Sequence, residues 1–191
     1  METVLSGIRS TGHLHLGNYF GALRNYIKMQ NEYNCFFFIA DLHSLTTHPH
    51  PDDFHSGVRT ILAEYLASGL DPGKSAIFVQ SDIPEISDLY VLLNMISYKG
   101  ELERTASFKD KVRQNPDNVN AGLLTYPVLM AADILIHRAN KVPVGKDQEQ
   151  HLEIARVLAR RFNSMYGSEV FPEPQAFNFG SDLIKVPGLD G

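Results

Sequence analysis

The residues best placed to do chemistry stand near the start of the chain, in Thr11-Gly-His-Leu-His-Leu-Gly-Asn18. His13 and His15, two positions apart, lie between Gly12 and Gly17. Glycine lets a ligand approach the backbone closely, because no Cβ stands in the way. The string follows a short strand-like run, Thr3-Val-Leu-Ser6. After it, Tyr19, Phe20, Leu23, Tyr26 and Ile27 recur at the steps of an amphipathic helix. It therefore lies where a buried strand turns into a helix, whose first N–H groups lack intrahelical partners and favour negative charge. Two imidazoles and free amides suit an anion whose charge grows during reaction, such as a transferring phosphate. Short glycine motifs also arise by chance, so the octapeptide by itself is equally a plain loop with two surface histidines.

A second group of candidates lies between residues 122 and 148. Tyr126, Met130 and Asp133 are spaced four and three apart and share one face of a helix. Asp133 stands among Ala131, Ala132, Ile134 and Leu135, and a carboxylate buried in such company must find a donor. That donor is either internal, a backbone amide or an arginine, or the N–H of a ligand in an apolar slot. Pro127 and the two alanines leave room there for a flat ring. Val142-Pro-Val-Gly-Lys-Asp-Gln148 runs from a strand end into a helix. Gly145 permits close approach, Asp147 suits ribose hydroxyls or a plain helix cap, and Gln148 suits an amino or carboxyl group. Asp41, His43 and Ser44 form a similar polar cluster after the apolar run Cys35-Phe-Phe-Phe-Ile-Ala40. His43, His48, His50 and His55, with Asp52 and Asp53, match no established ligand spacing, so no metal site is assigned.

The elements that must position these groups alternate. Strands are expected at residues 3–6, 35–40, 75–80 and 141–145, with helices between them. In the second helix Phe54, Val58, Ile61, Leu62, Tyr65 and Leu66 face one side, and Gly69 stops it. Connections of this length require parallel strands joined by right-handed crossovers. The expected fold class is α/β, a doubly wound parallel sheet of Rossmann type with inserted helices. Its ligands bind at the carboxyl ends of the strands, where the strand order reverses.

Residues 86–140 read as the helical insertion, with Leu89, Leu92, Leu93 and Ile96 on one apolar face. Residues 100–114 read as one charged helix. Five basic and three acidic side chains between Lys99 and Arg113 make it a solvated face or a weak RNA contact. Residues 121–139 form a helix interrupted at Pro127. In the helix at 148–166, Leu152, Ala155, Leu158 and Phe162 point inward and Gly167 is the stop. The tail is rich in Pro and Gly, with one apolar run at 183–186.

With 191 residues the chain is one full domain, or one and a small appendage, and large enough to bury a core. Its 17 Lys plus Arg against 22 Asp plus Glu leave a net charge of −5, so any RNA contact would need a local patch. Cys35, the single cysteine, excludes an internal disulfide and fits a reducing cytoplasm. No signal peptide is read at the start, and no apolar stretch nears the roughly 20 residues needed to span a bilayer. A cytoplasmic protein without membrane contact is expected.

Taken together, these strings resemble the class I aminoacyl-tRNA synthetases, and within them the bacterial-type tryptophanyl branch. The class motif His-Ile-Gly-His takes the form His15-Leu-Gly-Asn18, and an Asn ending followed by Tyr19-Phe-Gly-Ala-Leu-Arg24 is characteristic of that branch. Gly100-Glu-Leu-Glu-Arg104, Leu124-Thr-Tyr-Pro127 with Met130-Ala-Ala-Asp133, and Val142-Pro-Val-Gly-Lys-Asp-Gln-Glu-Gln-His151 follow in the family's order. The resemblance covers residues 6 to about 153.

It implies that tryptophan and ATP give tryptophanyl-adenylate and pyrophosphate, and that the aminoacyl group then passes to the 3′ end of tRNA(Trp). Arg9, Ser10, Thr11, Gly17 and Asn18 would hold the ATP. Gly145, Lys146 and Asp147 would meet its ribose and adenine side, and Ile184 the adenine. Asp133 would accept the indole N–H, with Met130 and His43 around the ring and Ser6 and Gly7 in the same pocket. Tyr126 and Gln148 would position the α-amino end. Catalysis is assigned to His13, His15 and Arg9, through positioning and charge stabilisation without a protein nucleophile. Mg²⁺ would travel with the triphosphate. A homodimer is implied as well.

Arg9 stands where the family commonly has Gln, Leu5 where an aromatic is common, and Lys146 where Glu is frequent. In the family, a Leu-Asp-Gly like that at 189–191 precedes a Lys-Met-Ser-Lys-Ser loop and a helical anticodon-binding domain. A catalytic domain over residues 1–191, without these two parts and impaired in catalysis, is therefore expected. Two other readings stand beside it. One is a non-catalytic nucleotide- or tryptophan-binding module. The other is a different nucleotidyltransferase with the same two-histidine motif, which leaves Met130 to Asp133 unexplained.

Overall fold

The computed structural model describes residues 1–114, 116–145 and 148–177. β1 (Thr3–Arg9) and β2 (Asn34–Ala40) pair in parallel along their whole length, from Thr3 opposite Asn34 to Arg9 opposite Ala40. β3 (Ala76–Val79) lies beyond β2. β4 (Lys141–Val142) lies on the other side of β1, and β5 (Gln175–Ala176) beyond it. All pairs are parallel and the order is β3-β2-β1-β4-β5. This is the doubly wound sheet expected from the alternation of elements. The chain winds outward from β1 to β3 and then returns to the far side of β1. The order thus reverses between β1 and β4, and their carboxyl ends frame the ligand crevice of such a sheet.

Successive strand residues face opposite sides, so an apolar run without alternation implies two covered faces. Val4, Phe37 and Ile39 pack into one core with Leu23, Tyr26, Met29, Ile61 and Tyr65. Leu5, Phe38 and Ala40 join a second core with Leu93, Val128, Ile134, Leu152 and Leu158. After the short α1 (Leu16–Asn18), which buries none of its residues, the first core is closed by a π turn at Tyr19–Leu23, α2 (Arg24–Met29) and α4 (Pro51–Ala67). The short α3 (Asp41–Ser44) directly follows β2. The second face carries α5 (Pro84–Met95), α6 (Lys99–Glu103), α8 (Ala121–Ile136) and α9 (Glu149–Tyr166), with α7 (Ala106–Gln114) between α6 and α8. None of the helices among the described residues is long and apolar enough to cross a membrane.

Several expectations are corrected. β1 runs to Arg9 rather than ending at Ser6, because the ladder with β2 carries Ser6, Gly7, Ile8 and Arg9. A Cβ on Gly7 would stand 2.7 Å from the Phe38 ring, so the glycine is what allows this close pairing. The π turn holds an extra residue per turn and resets the helical face. Leu23, Tyr26 and Met29 point inward, whereas Tyr19 stays exposed. Leu62, Leu66 and Leu92 also face outward, and Ile86 takes the inward place on α5. Residues 99–114 form two helices, broken at Arg104 and Thr105. Pro127 does not interrupt α8, and the fourth strand is only two residues long. The loss of one helix bond and the ring clash cost about 3 kcal/mol. Burial of Leu123, Val128, Ile134 and Leu135 along the same helix offsets it, at about 1.5–3 kcal/mol for each large side chain. The apolar run at 183–186 lies outside the described residues.

Candidate functional site

A cavity of about 510 Å³ opens at the carboxyl ends of β1 and β4, where the strand order reverses. Ser6, Gly7 and Arg9 reach it from the end of β1, and Thr11, His13, His15 and Asn18 from the loop and helix that follow. His43 enters from α3, and Tyr126, Met130 and Asp133 from one face of α8. Gly145 and Gln148 close it beyond β4. Two distant strings of sequence thus meet in one space. Lys146, Asp147 and Ile184 lie outside the described residues.

Asp133 is buried at 1% exposure and lies on the cavity wall. Its Oδ2 accepts from His43 Nε2 at 2.8 Å, and its Oδ1 accepts from Gln80 Nε2 at 2.8 Å. The donors are therefore an imidazole and an amide, neither the backbone amide nor the arginine weighed from the sequence. A carboxylate offers about four acceptor positions, so two further lone pairs are left for a third donor. Because a carboxylate oxygen can only accept, Nε2 of His43 is the donor in this contact. Its Nδ1 is buried and has no hydrogen-bond partner. Gln80, fully buried at the end of β3, also accepts from the His43 backbone N–H at 3.4 Å. Gln80 was missed in the sequence, where a Gln at a strand end carries no signal of its own.

Besides this carboxylate, two cations stand near one another. Arg9 Nε and Nη2 are buried without a hydrogen-bond partner. Lys111, from α7, holds its Nζ 4.2 Å from the centroid of the Tyr126 ring. Burial pushes the Lys111 ammonium below its ordinary range, and the nearby Arg9 charge lowers it further. Two desolvated cations are arranged for an anion. Lys111 escaped the sequence reading because its helix looked uniformly charged. The available signal was its step of three and minus one from Phe108 and Val112, on the half-buried side of α7.

The Gln148 side of the cavity is organised by a chain of side chains. Ser107 Oγ lies 2.6 Å from His151 Nε2, and His151 Nδ1 lies 2.8 Å from Gln148 Oε1. Tyr126 stands edge-on between His43 and His151, at 4.8 and 5.1 Å between ring centroids. His151 is buried, which its place on the apolar face of α9 with Leu152 and Ala155 would have signalled.

The glycine-histidine string is more internally satisfied than its sequence suggested. His15 caps α1: its Nδ1 accepts from the Asn18 N–H at 3.2 Å, while Asn18 Oδ1 accepts from the His15 N–H at 3.1 Å. That reciprocal pair occupies two of the N–H groups expected to face a ligand. A Cβ on Gly17 would stand 2.9 Å from the His15 ring, so Gly17 serves the cap and does not line the cavity. Ser10 is likewise turned away. Its N–H and Oγ both contact Ser44 Oγ at 3.1 Å, and its carbonyl lies where a Cβ of Gly57 would be. Ser10 and Gly17 therefore shape the cradle from behind.

Comparison with known proteins follows the same lines as the geometry. The family model for tRNA synthetases class I (W and Y) matches residues 2–191. A tryptophan–tRNA ligase of Porphyromonas gingivalis is 69% identical over 191 residues, covering 100% of this chain and 58% of that protein. One from Clostridium tetani is 49% identical over 187 residues, covering 97% and 55%. The chain thus spans little more than half the length of these relatives. Among solved structures, tryptophanyl-tRNA synthetase from Campylobacter jejuni complexed with ADP and tryptophan superposes with a TM-score of 0.87 at 42% identity, over 92% of this chain and 54% of that one. Tyrosyl-tRNA synthetase from Archaeoglobus fulgidus, complexed with L-tyrosine, shares the fold at a TM-score of 0.76 and 17% identity, over 92% and 53%.

Proposed function

The chain belongs to the class I tRNA synthetases (W and Y), and on that premise we propose that it performs the chemistry of a tryptophan–tRNA ligase. Tryptophan and ATP react to tryptophanyl-adenylate and pyrophosphate, and the aminoacyl group then passes to the 3′-terminal ribose of tRNA(Trp). One observation carries the choice of amino acid: the buried Asp133 carboxylate on the cavity wall, held by His43 and Gln80 with acceptor positions to spare. An indole N–H supplies the third donor. A ligand without that N–H leaves those positions unpaired, and a polar site of this kind rejects it by factors of about 10⁴ or more. Met130 and His43 flank the ring, Ser6 and Gly7 lie beneath it, and Tyr126 with Gln148 positions the α-amino end.

The triphosphate occupies the loop side. Arg9 faces it as a buried cation, Thr11, His13, His15 and Asn18 rim it, and Lys111 adds its charge from behind the Tyr126 ring. Gly145 gives the ribose room, with Lys146, Asp147 and Ile184 assigned to the ribose and adenine side by resemblance. The tryptophan carboxylate attacks the α-phosphorus, the bond to the bridging oxygen breaks, and pyrophosphate leaves with the electron pair. Fixed cations stabilise the charge that moves onto the leaving oxygens without reorganising. Mg²⁺ belongs to the substrate, arriving on the triphosphate oxygens. The reading includes a homodimer and a cytoplasmic location, the latter consistent with Cys35 as a buried free thiol.

The chain contains no Trp, so bound tryptophan is the only indole in the sample. Its emission is expected to shift to the blue and polarise on binding, and to stay so with excess phenylalanine present. In Asp133→Ala that selectivity is expected to collapse. Unchanged emission in the natural chain sinks the amino-acid assignment, and undiminished selectivity in the variant removes Asp133 from it.

A further inference from the structure

The loop between β1 and α1 rims the cavity, yet little packing supports it. Gly12 takes φ +76° at its apex, and a Cβ there would meet nothing within 4 Å. At its start, Ser10 is tied to Ser44. At its far end stands a residue with no part in the site as described. Glu64, from α4, lies 2.9 Å from His13 Nδ1 with Oε1 and accepts from the Leu14 backbone N–H at 3.0 Å with Oε2. The carboxylate spans both contacts, from a residue some fifty positions further along the chain. The His13 ring is 85% exposed and its partner only 28%, so α4 supplies the rigid side of the contact.

We propose that Glu64 is a positioning residue that clamps this loop in the conformation that receives the nucleotide triphosphate. Thr11, His13, Leu14 and His15 all line the cavity, and each moves with the loop. One side chain, through its two terminal atoms, fixes two consecutive residues. Without it, the loop around Gly12 samples other conformations, and the ligand must first select the competent one. The apparent affinity then falls by the fraction of time the loop is competent. Tryptophan binds on the α8 side and is spared that penalty.

The inference rests on the ATP reading above, and the test separates the two. On the full-length protein, tryptophan-dependent ATP–pyrophosphate exchange is measured for the natural chain, Glu64→Met and Glu64→Gln. Met covers a similar surface and accepts no strong hydrogen bond. Gln keeps an oxygen for the Leu14 N–H and an amide N–H for His13 Nδ1. The KM for ATP is expected to rise about tenfold in Glu64→Met if the loop is competent about a tenth of the time. At saturating ATP the loop is refilled, so kcat and the KM for tryptophan hold within about twofold. Glu64→Gln is expected to restore the natural KM for ATP. An unchanged KM for ATP in Glu64→Met overturns the clamp, as does an equal loss for both substrates that Glu64→Gln does not rescue. No exchange by the natural full-length protein removes the ATP reading and the clamp with it. If Glu64→Met fails to fold, a natural KM in Glu64→Ala overturns the clamp just as well.

Discussion

At the scale of single residues, the site combines one carboxylate with two cations. Asp133 is stabilised from within by His43 and Gln80, so its charge is tolerated before any ligand arrives. The buried Arg9 nitrogens have no such partner, and burial lowers the Lys111 ammonium from its ordinary range. A lysine with a lowered folded-state pKa destabilises the fold wherever both states are charged. That penalty applies at neutral pH and is relieved as pH rises through the folded and then the unfolded value. Lys111→Met is therefore expected to raise the melting temperature of the free protein by about 2 °C while weakening ATP binding severalfold. Calorimetry with and without ATP checks both halves. A lower melting temperature in the free variant contradicts the desolvation argument. Such a residue trades stability for function.

At the scale of elements, the seam between α2, β2 and α4 is the rigid backing of the site. Tyr26 stacks on Phe37 at 4.4 Å and places its hydroxyl 2.6 Å from Ser6 Oγ at the cavity. Burial pushes the Tyr26 phenol up to about 12, against a weaker lowering by the Ser6 bond. Burial also pushes the Cys35 thiol up to about 11 and raises Tyr65 well above its ordinary value. For an acid raised in the folded state, the unfolded chain ionises first. The stability from these groups is therefore complete below their unfolded values, 9.0 for the thiol and 10.0 for the phenols, and falls as pH rises through about 11 and 12. Denaturant unfolding from pH 8 to 11.5 is expected to show a falling midpoint that Cys35→Ala partly flattens. A midpoint independent of pH over that span refutes this account.

At the scale of the whole molecule, α5 leaves Val91, Leu92 and Met95 exposed, at 51, 59 and 77%, with Tyr98 at 62% just beyond. A cluster of large apolar side chains on one helix usually marks an interface. The proposed homodimer makes a second copy the natural occupant. Leu92→Asp with Met95→Glu is expected to shift the sedimenting species to the mass of one chain. If the natural protein already sediments as one chain across concentrations, the dimer is wrong.

The nature of each element, the parallel sheet and the rim where ligands gather were legible in the sequence, because hydrophobic period and glycine stops are local properties. So were the motif residues that line the cavity, from Ser6 through Gln148. What sequence alone left undecided depends on contacts between distant segments. The donors to Asp133 come from the turn after β3 and from α3, so no local pattern could choose them over a backbone amide. The inward turn of Lys111, the continuity of α8 through Pro127 and the reset face after the π turn are likewise settled by packing, which outweighs propensity. The Glu64 contact joins a loop and a helix some fifty residues apart in the chain. Sequence specified the chemical groups; the packing of α4 on one face of the sheet and of α8 on the other decided which of them meet, because burial and pairing reward proximity in space.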